Sequence, residues 1–340
     1  LTYEDNKFLD ILPAGLRAKA EKLIPEVDEG LIDRFSEQYK SLQNKYKSTD
    51  ISLFLAPTGP QWCSTNLLTR ISKLGKETGS GVHIHTLQTI RQKLYGEKLT
   101  EGSLVKYLEN TGLLENDLTL GHAIWLDQDD LNLIKDEDVS ITHHAGCNLH
   151  MRNGIAPVFD YWKNGVCVAL GLDDKPISED EDCFQEMRLI NSLHNLGSQE
   201  IGSKNIDCFD VLKMATKNAA NVAGMKGYTG KIKEGAIADI ITIEMNRIED
   251  PWVHPNLDIR KLLFNKALAS DVSSTIVDGN LIMKDGKILT VDEKEINRKL
   301  SEQLERDLET KSKKDQEMKL RKDLYPYINN FYQDWTPVSY

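Results

Sequence analysis

The chain has 340 residues, with 42 Lys+Arg against 53 Asp+Glu, 40% hydrophobic and 28% charged, which is the composition of an ordinary globular protein and not of a disordered or fibrous one. A formal charge of −11 leaves no excess of cations to displace phosphate counterions and argues against nucleic-acid binding. No run of about 18 apolar residues is present to span a bilayer.

The N-terminal stretch LTYEDNKFLDIL carries acids and no basic n-region, so it does not read as a signal peptide. The chain opens without Met, as expected of a sequence that starts partway through something longer. Residues 1–50 read as helices, because Leu9, Leu12, Leu16, Ala20, Leu23 and Ile24 return at helical spacing. From residue 51 the texture changes to apolar, β-branched runs at Ile51–Ala56, Val82–Leu87, Leu118–Ile124, Val139–Thr142 and Val166–Leu172. Segments such as Ser64–Gly75 and Gln128–Lys135 lie between them and are long enough for helices. That alternation predicts a parallel sheet covered on its faces.

Each run ends in polar or ionisable residues: Thr58 and Trp62, His85 and Gln88, His122, His143 and His144, Asp173 and Asp174. Chemistry repeated at successive strand ends is the pattern of a (β/α) barrel, whereas an open doubly wound sheet would concentrate it at one switch point. Five such strands are present where a full barrel has eight. From Met225 onward, short alternating strands separated by Gly and Asp-Gly turns predict hairpins. The glycines at 224, 227, 230 and 235 lack the GK[ST] ending and the strand–helix context of a phosphate loop. Ile296, Leu300, Leu304 and Leu308 then form an i+4 stripe, predicting a helix that packs one face. The segment KSKKDQEMKLRKD reads as solvated helix or linker, and the aromatic end YPYINNFYQDW as a segment that docks on the body of the chain or on a neighbouring subunit. The expected division is therefore barrel over 1–223, β unit over 224–295, and helix with aromatic tail over 296–340. Five widely spaced cysteines without a CxxC suit reduced thiols in a cytoplasm.

Eight histidines are present. His83 and His85 point to the same side of one strand, with only His85 near the mouth and His83 expected in the core. Any one of these imidazoles alone reads as a buried, hydrogen-bonded side chain. His85, His122 and Asp173 at the same end of different strands match instead the ligand chemistry of zinc or ferrous iron, which would supply hydroxide near neutral pH.

The blocks GVHIHTLQT, LTLGHAIWLDQDDL, ITHHAGCNLHMRNGIAPV, VCVALGLDD and ATKNAANVAGMKGYTGKIKEGAIADIITIE resemble, in order, the amidohydrolase superfamily. The nearest branch is the one holding cytosine, guanine and S-adenosylhomocysteine/adenosine-type deaminases and the triazine hydrolases. The resemblance implies a (β/α)8 TIM barrel, of which strands four to eight are present, with a small β-sandwich. It implies a metal-dependent hydrolase that cleaves a C–N bond of a small cyclic nitrogenous compound. Zinc is the expected metal, with iron second, and a homodimer is the expected assembly, dimers being the commonest symmetric case. Carried over by position, His85 and Asp173 are metal ligands, Asp173 also accepts the proton of water, and His122 bonds the nucleophile or leaving group. His143 and Asn148 line the substrate side, and Trp62 lies where an aromatic stacks on a flat heterocycle.

Three departures stand out. The family's strand-one His-x-His is absent, as expected of an N-terminally truncated chain. Gln88 stands where the branch carries a proton-shuttling Glu, and an amide cannot be a general acid or base. Thr58 stands where adenosine-type members carry His, which argues against an adenosine-like substrate. These departures keep two alternatives open: a catalytically inactive binding or scaffold relative, and a dehalogenating or amide-hydrolysing member of the same branch.

Overall fold

The computed structural model describes residues 6–22, 30–47, 49, 51–100, 102–115, 117–174, 180–195, 204–309, 311–333 and 335. By packing, the chain forms two compact units, one of Gln38–Thr290 and one of Leu1–Glu37 together with Val291–Tyr340.

The larger unit is built on a parallel sheet of β1 (Val82–Thr86), β2 (Leu118–His122), β3 (Ser140–His143) and β4 (Val168–Leu170), hydrogen-bonded in that order. Ile84 faces Leu120, Leu120 faces Ile141, and Ile141 faces Val168. All four are at most 2% exposed, as a sheet covered on both faces requires. Helices follow each strand, and those after β1 and β2 start on side-chain caps: Thr89 accepts from the Gln92 N–H, and Asp127 from that of Asp130, each satisfying an orphan amide of the first turn. This is the strand–helix alternation of a (β/α) barrel. The run Ile51–Ala56 departs from expectation. Only Leu55 pairs, bridging to Val82 through bonds to Gly81 and His83. Ile51 is 53% exposed, and Pro57, which has no N–H to give to a ladder, follows directly, so too few residues are both buried and able to pair.

Asp130 is buried in this unit, and burial raises its carboxyl from 3.8 to about 6, against a hydrogen bond from Ser103 that lowers it. The folded chain binds the extra proton between those two values, so stability falls as pH rises through that window. Asp130→Asn removes the charge and keeps an oxygen for the Asp127 N–H. Its urea midpoint should exceed that of the parent protein at pH 7, with the gain vanishing below about pH 4. An equal or lower midpoint at pH 7 would exclude this account.

The same unit carries an antiparallel sheet in the order β5 (Ile240–Ile243), β6 (Val272–Val277), β7 (Asn280–Lys284) and β8 (Lys287–Ile288). Its two hairpins turn on Asp278-Gly279, with φ of 46° and 76°, and Asp285-Gly286, with φ of 48° and 72°. Paired positive φ values define the two-residue turn that Asp-Gly favours. A sandwich needs two layers, and the described residues form this one.

In the smaller unit, the helices Asn6–Asp10 and Ala14–Glu21 pack with the long helix Lys311–Gln333. Phe8, Leu9, Leu12, Ala20 and Leu324 form its core, with Tyr327, Ile328 and Phe331 against it. The aromatic end thus docks within its own chain, Phe331 meeting Phe8 edge-on at 5.6 Å. The stripe Ile296, Leu300 and Leu304 lies on a helix, Glu293–Glu309, as expected, but is 48–54% exposed. Salt bridges of Arg298 with Glu295 and Glu302 on its surface support the helix locally, so helix formation does not require that the stripe be packed.

Candidate functional site

The C-terminal ends of β1, β2 and β3 and the loop after β4 bring together residues widely separated in sequence. The backbone marks the place: Leu87, His122, Ala123 and Asp173 have φ of 51°, 69°, 49° and 62°. Non-glycine residues rarely adopt the left-handed region, and such strain clusters at functional sites.

His85 is the penultimate residue of β1 and is exposed, and its Nδ1 donates to the carbonyl of Thr58 at 2.8 Å. A carbonyl only accepts, so Nδ1 carries the proton and Nε2 is left with its lone pair. His122 is 1% exposed, and its ring lies over that of His85, with centroids 5.6 Å apart and planes 24° from parallel. Its Nδ1 is 2.9 Å from Asn148 Oδ1, which selects the same tautomer. His122 Nε2 then faces Asp173 Oδ2 at 3.5 Å. Two acceptors that close attract a cation or proton between them, and fixing the far nitrogen of each imidazole is how proteins orient histidine ligands.

Asp173 is held by three groups. Its Oδ1 accepts from the Asp174 N–H at 2.7 Å, and its Oδ2 accepts from Cys147 Sγ at 3.2 Å as well as facing His122. Burial pushes its pKa up, but the Asp174 N–H, the Cys147 thiol and the neighbouring imidazoles outweigh it, and the carboxyl sits below its usual value. The same contact, added to burial, pushes the Cys147 thiol up to about 12. Burial, partly offset by Asn148 and Asp173, lowers His122.

The other expected site residues fall into two groups. Asn148 meets His122, and Thr58 acts through its backbone carbonyl, not its hydroxyl. Trp62, in the turn Pro60–Trp62, is 42% exposed. Gln88 gives its backbone N–H to Gln92, the residue that closes the capping box with Thr89. His143 is fully buried, with its Nε2 2.9 Å from His194 Nε2, and burial holds its pKa well below the ordinary value. The next residue, His144, has its ring 4.8 Å from that of His122 and its Nε2 against Thr142 Oγ1 at 3.1 Å. Burial beside His122 lowers His144 to about 3, so it is neutral at ordinary pH. The strand-end pattern includes His144 without assigning it a role, and it gives no sign of Cys147 or His194. Two adjacent histidines at a strand end project to opposite sides of the pleat, but nothing local says which side is which.

Chemically, His85, His122 and Asp173 are a zinc-type donor set. As arranged, no group of three or more His, Cys, Asp or Glu among the described residues is positioned to hold a metal ion. The described residues therefore bring these donor types to one end of the sheet without closing them around a cation.

Comparison with known proteins places these blocks in context. The amidohydrolase family model matches residues 7–282. The chain is 32% identical over 277 residues to a 5′-deoxyadenosine deaminase of Methanosphaera stadtmanae, covering 78% of this chain and 64% of that protein. It is 30% identical over 296 residues to a 5-methylthioadenosine/S-adenosylhomocysteine deaminase of Halothermothrix orenii, covering 86% and 67%. Among solved structures, an adenosine deaminase from Xanthomonas campestris with bound zinc superposes with a TM-score of 0.73 at 19% identity, covering 81% of this chain and 62% of that one. A zinc complex of atrazine chlorohydrolase from Arthrobacter aurescens gives 0.70 at 20% identity, covering 79% and 59%. The chain thus spans roughly two thirds or less of the length of these relatives.

Proposed function

The chain belongs to the amidohydrolase family, and from that membership we propose that it carries the carboxylate and imidazole machinery of a metal-dependent hydrolase cleaving a C–N bond of a small cyclic nitrogenous compound. The observation that carries this reading is the convergence of His85, His122 and Asp173 at one end of the parallel sheet, with both imidazoles tethered through Nδ1. The relatives' names favour deamination of a 5′-modified adenosine, the substrate class that Thr58 argues against. Five free cysteines support a reducing compartment such as the cytoplasm, and a homodimer is the assembly expected.

His85 Nε2 and Asp173 are the ligands this chain would offer a divalent cation, zinc first and iron second. Bound there, such a cation lowers the pKa of water to about 7. Catalytic zinc takes three protein ligands, so the coordination needs donors besides these two. Asp173, held below its usual pKa, accepts the proton of the attacking water. His122, whose Nε2 faces Asp173 Oδ2 at 3.5 Å, hydrogen-bonds the tetrahedral species. Gln88 contributes hydrogen bonds and no proton.

The test is zinc reconstitution of the full-length protein followed by ammonia-release assays on 5′-substituted adenosines, aminopyrimidines and aminotriazines. Ammonia release from at least one of them, dependent on bound zinc, is the expected result. A stoichiometrically loaded protein that turns over none of them overturns the proposal. His85→Ala should lower the zinc retained through dialysis by about tenfold or more. Retention equal to that of the parent would remove His85 from the ligand set.

A further inference from the structure

At the opposite end of the parallel sheet lies a cavity of about 460 Å³, bordered by Asp138 before β3 and by Val166 and Cys167 before β4. Asp138 and His143 are the two ends of one strand segment, about 16 Å apart at 3.3 Å per residue, so this cavity is separate from the catalytic cluster. Four lysines line it: Lys217, Lys226, Lys231 and Lys233. Asp138 is the one carboxylate in the lining, and among the described residues none of the four lysines makes an ion pair. A fifth lysine, Lys204, stands 5.4 Å over the ring of Trp162, another lining residue. Against the one carboxylate, the four lysines leave about three uncompensated positive charges around one concavity, with low-dielectric walls that focus their field.

We propose that this cavity binds a polyphosphate anion, either a free phosphate chain or that of a nucleotide. The volume is that of a small-molecule site, too small for a polynucleotide. The four lysines come from one stretch of chain, Lys217 opening a helix and Lys226, Lys231 and Lys233 lying in the irregular segment after it. Four cations in one lining suit several linked phosphates better than one. Asn218, Asn221 and Thr229 add neutral hydrogen-bonding groups between the cations. Trp162 is the one aromatic ring in the lining, a group of the kind on which a base stacks.

Calorimetric titration of the full chain with sodium tripolyphosphate tests this. Saturable one-site binding that weakens between low and physiological salt is expected. Lys231→Gln/Lys233→Gln and Lys217→Gln/Lys226→Gln should each weaken it by about tenfold or more, since each pair removes two charge-assisted hydrogen bonds. Lys299→Gln, elsewhere on the chain, should bind as the parent does. Absence of saturable binding, parental affinity in both double variants, or equal weakening by Lys299→Gln overturns the proposal. Tighter binding of ATP than of tripolyphosphate assigns the site to a nucleotide, and the reverse assigns it to a phosphate chain. Should the double variants not fold, lysine acetylation of the unaltered protein decides. Tripolyphosphate should slow modification of Lys226, Lys231 and Lys233 selectively, and uniform labelling with and without it refutes the site.

Discussion

Asp173→Asn should lower kcat of the zinc-loaded full-length enzyme by about 10²–10⁴-fold, the range that a positioned general base contributes. The substitution is nearly isosteric, so Oδ1 can still accept from the Asp174 N–H and the left-handed backbone at 173 is unchanged. The remaining atom, however, becomes an amide nitrogen. It cannot take a proton from water, and it donates toward His122 Nε2 where the carboxylate now presents a negative charge 3.5 Å away. The loss should fall on kcat more than on KM, because the group acts on the attacking water and not on ground-state binding. Zinc content measured on the same samples separates loss of the base from loss of the metal. A fall of less than about tenfold with zinc retained would mean that the proton goes elsewhere.

Gln88→Glu has the second largest expected effect and the opposite sign. Gln88 follows the strained Leu87 at the end of β1, at the start of the helix capped by Thr89. A carboxyl there restores a group able to give a proton to a departing amine, which a glutamine cannot do. Ammonia release from an aminated heterocycle should rise by about 10²-fold or more. An unchanged rate would indicate a leaving group that departs without protonation, as in the halide-displacing alternative. A fall would indicate that the amide itself positions the substrate. The two substitutions thus probe different protons: one leaving the nucleophile, the other arriving at the leaving group.

Much of the architecture was legible one segment at a time. The β-branched runs that became β1 to β4 carry their own signature, because strands buried on both faces must be apolar throughout. Asp278-Gly279 and Asp285-Gly286 announce their hairpins because so few residue pairs tolerate two positive φ values in succession. The run at Ile51–Ala56 shows the limit of this reading. Its composition is that of a strand, yet a strand exists only through a partner, and Leu55 alone is placed to bond. Likewise the stripe at Ile296, Leu300 and Leu304 describes a helix accurately while leaving open what, if anything, covers it.

The site divides along the same line. Residue type and strand-end position, properties of the chain itself, mark His85, His122 and Asp173 as candidates. Which imidazole faces which was decided only by tertiary packing. His143 turns to His194, and His144 rather than His143 approaches His122. Cys147, read in sequence only as a reduced thiol, donates to the carboxylate 26 positions away. Local sequence determines helices, turns and which side chains can do chemistry, because those depend on neighbours a few residues off. The pairing of proton donors with acceptors across four strands depends on register and on the pleat, and these exist only once the sheet has formed.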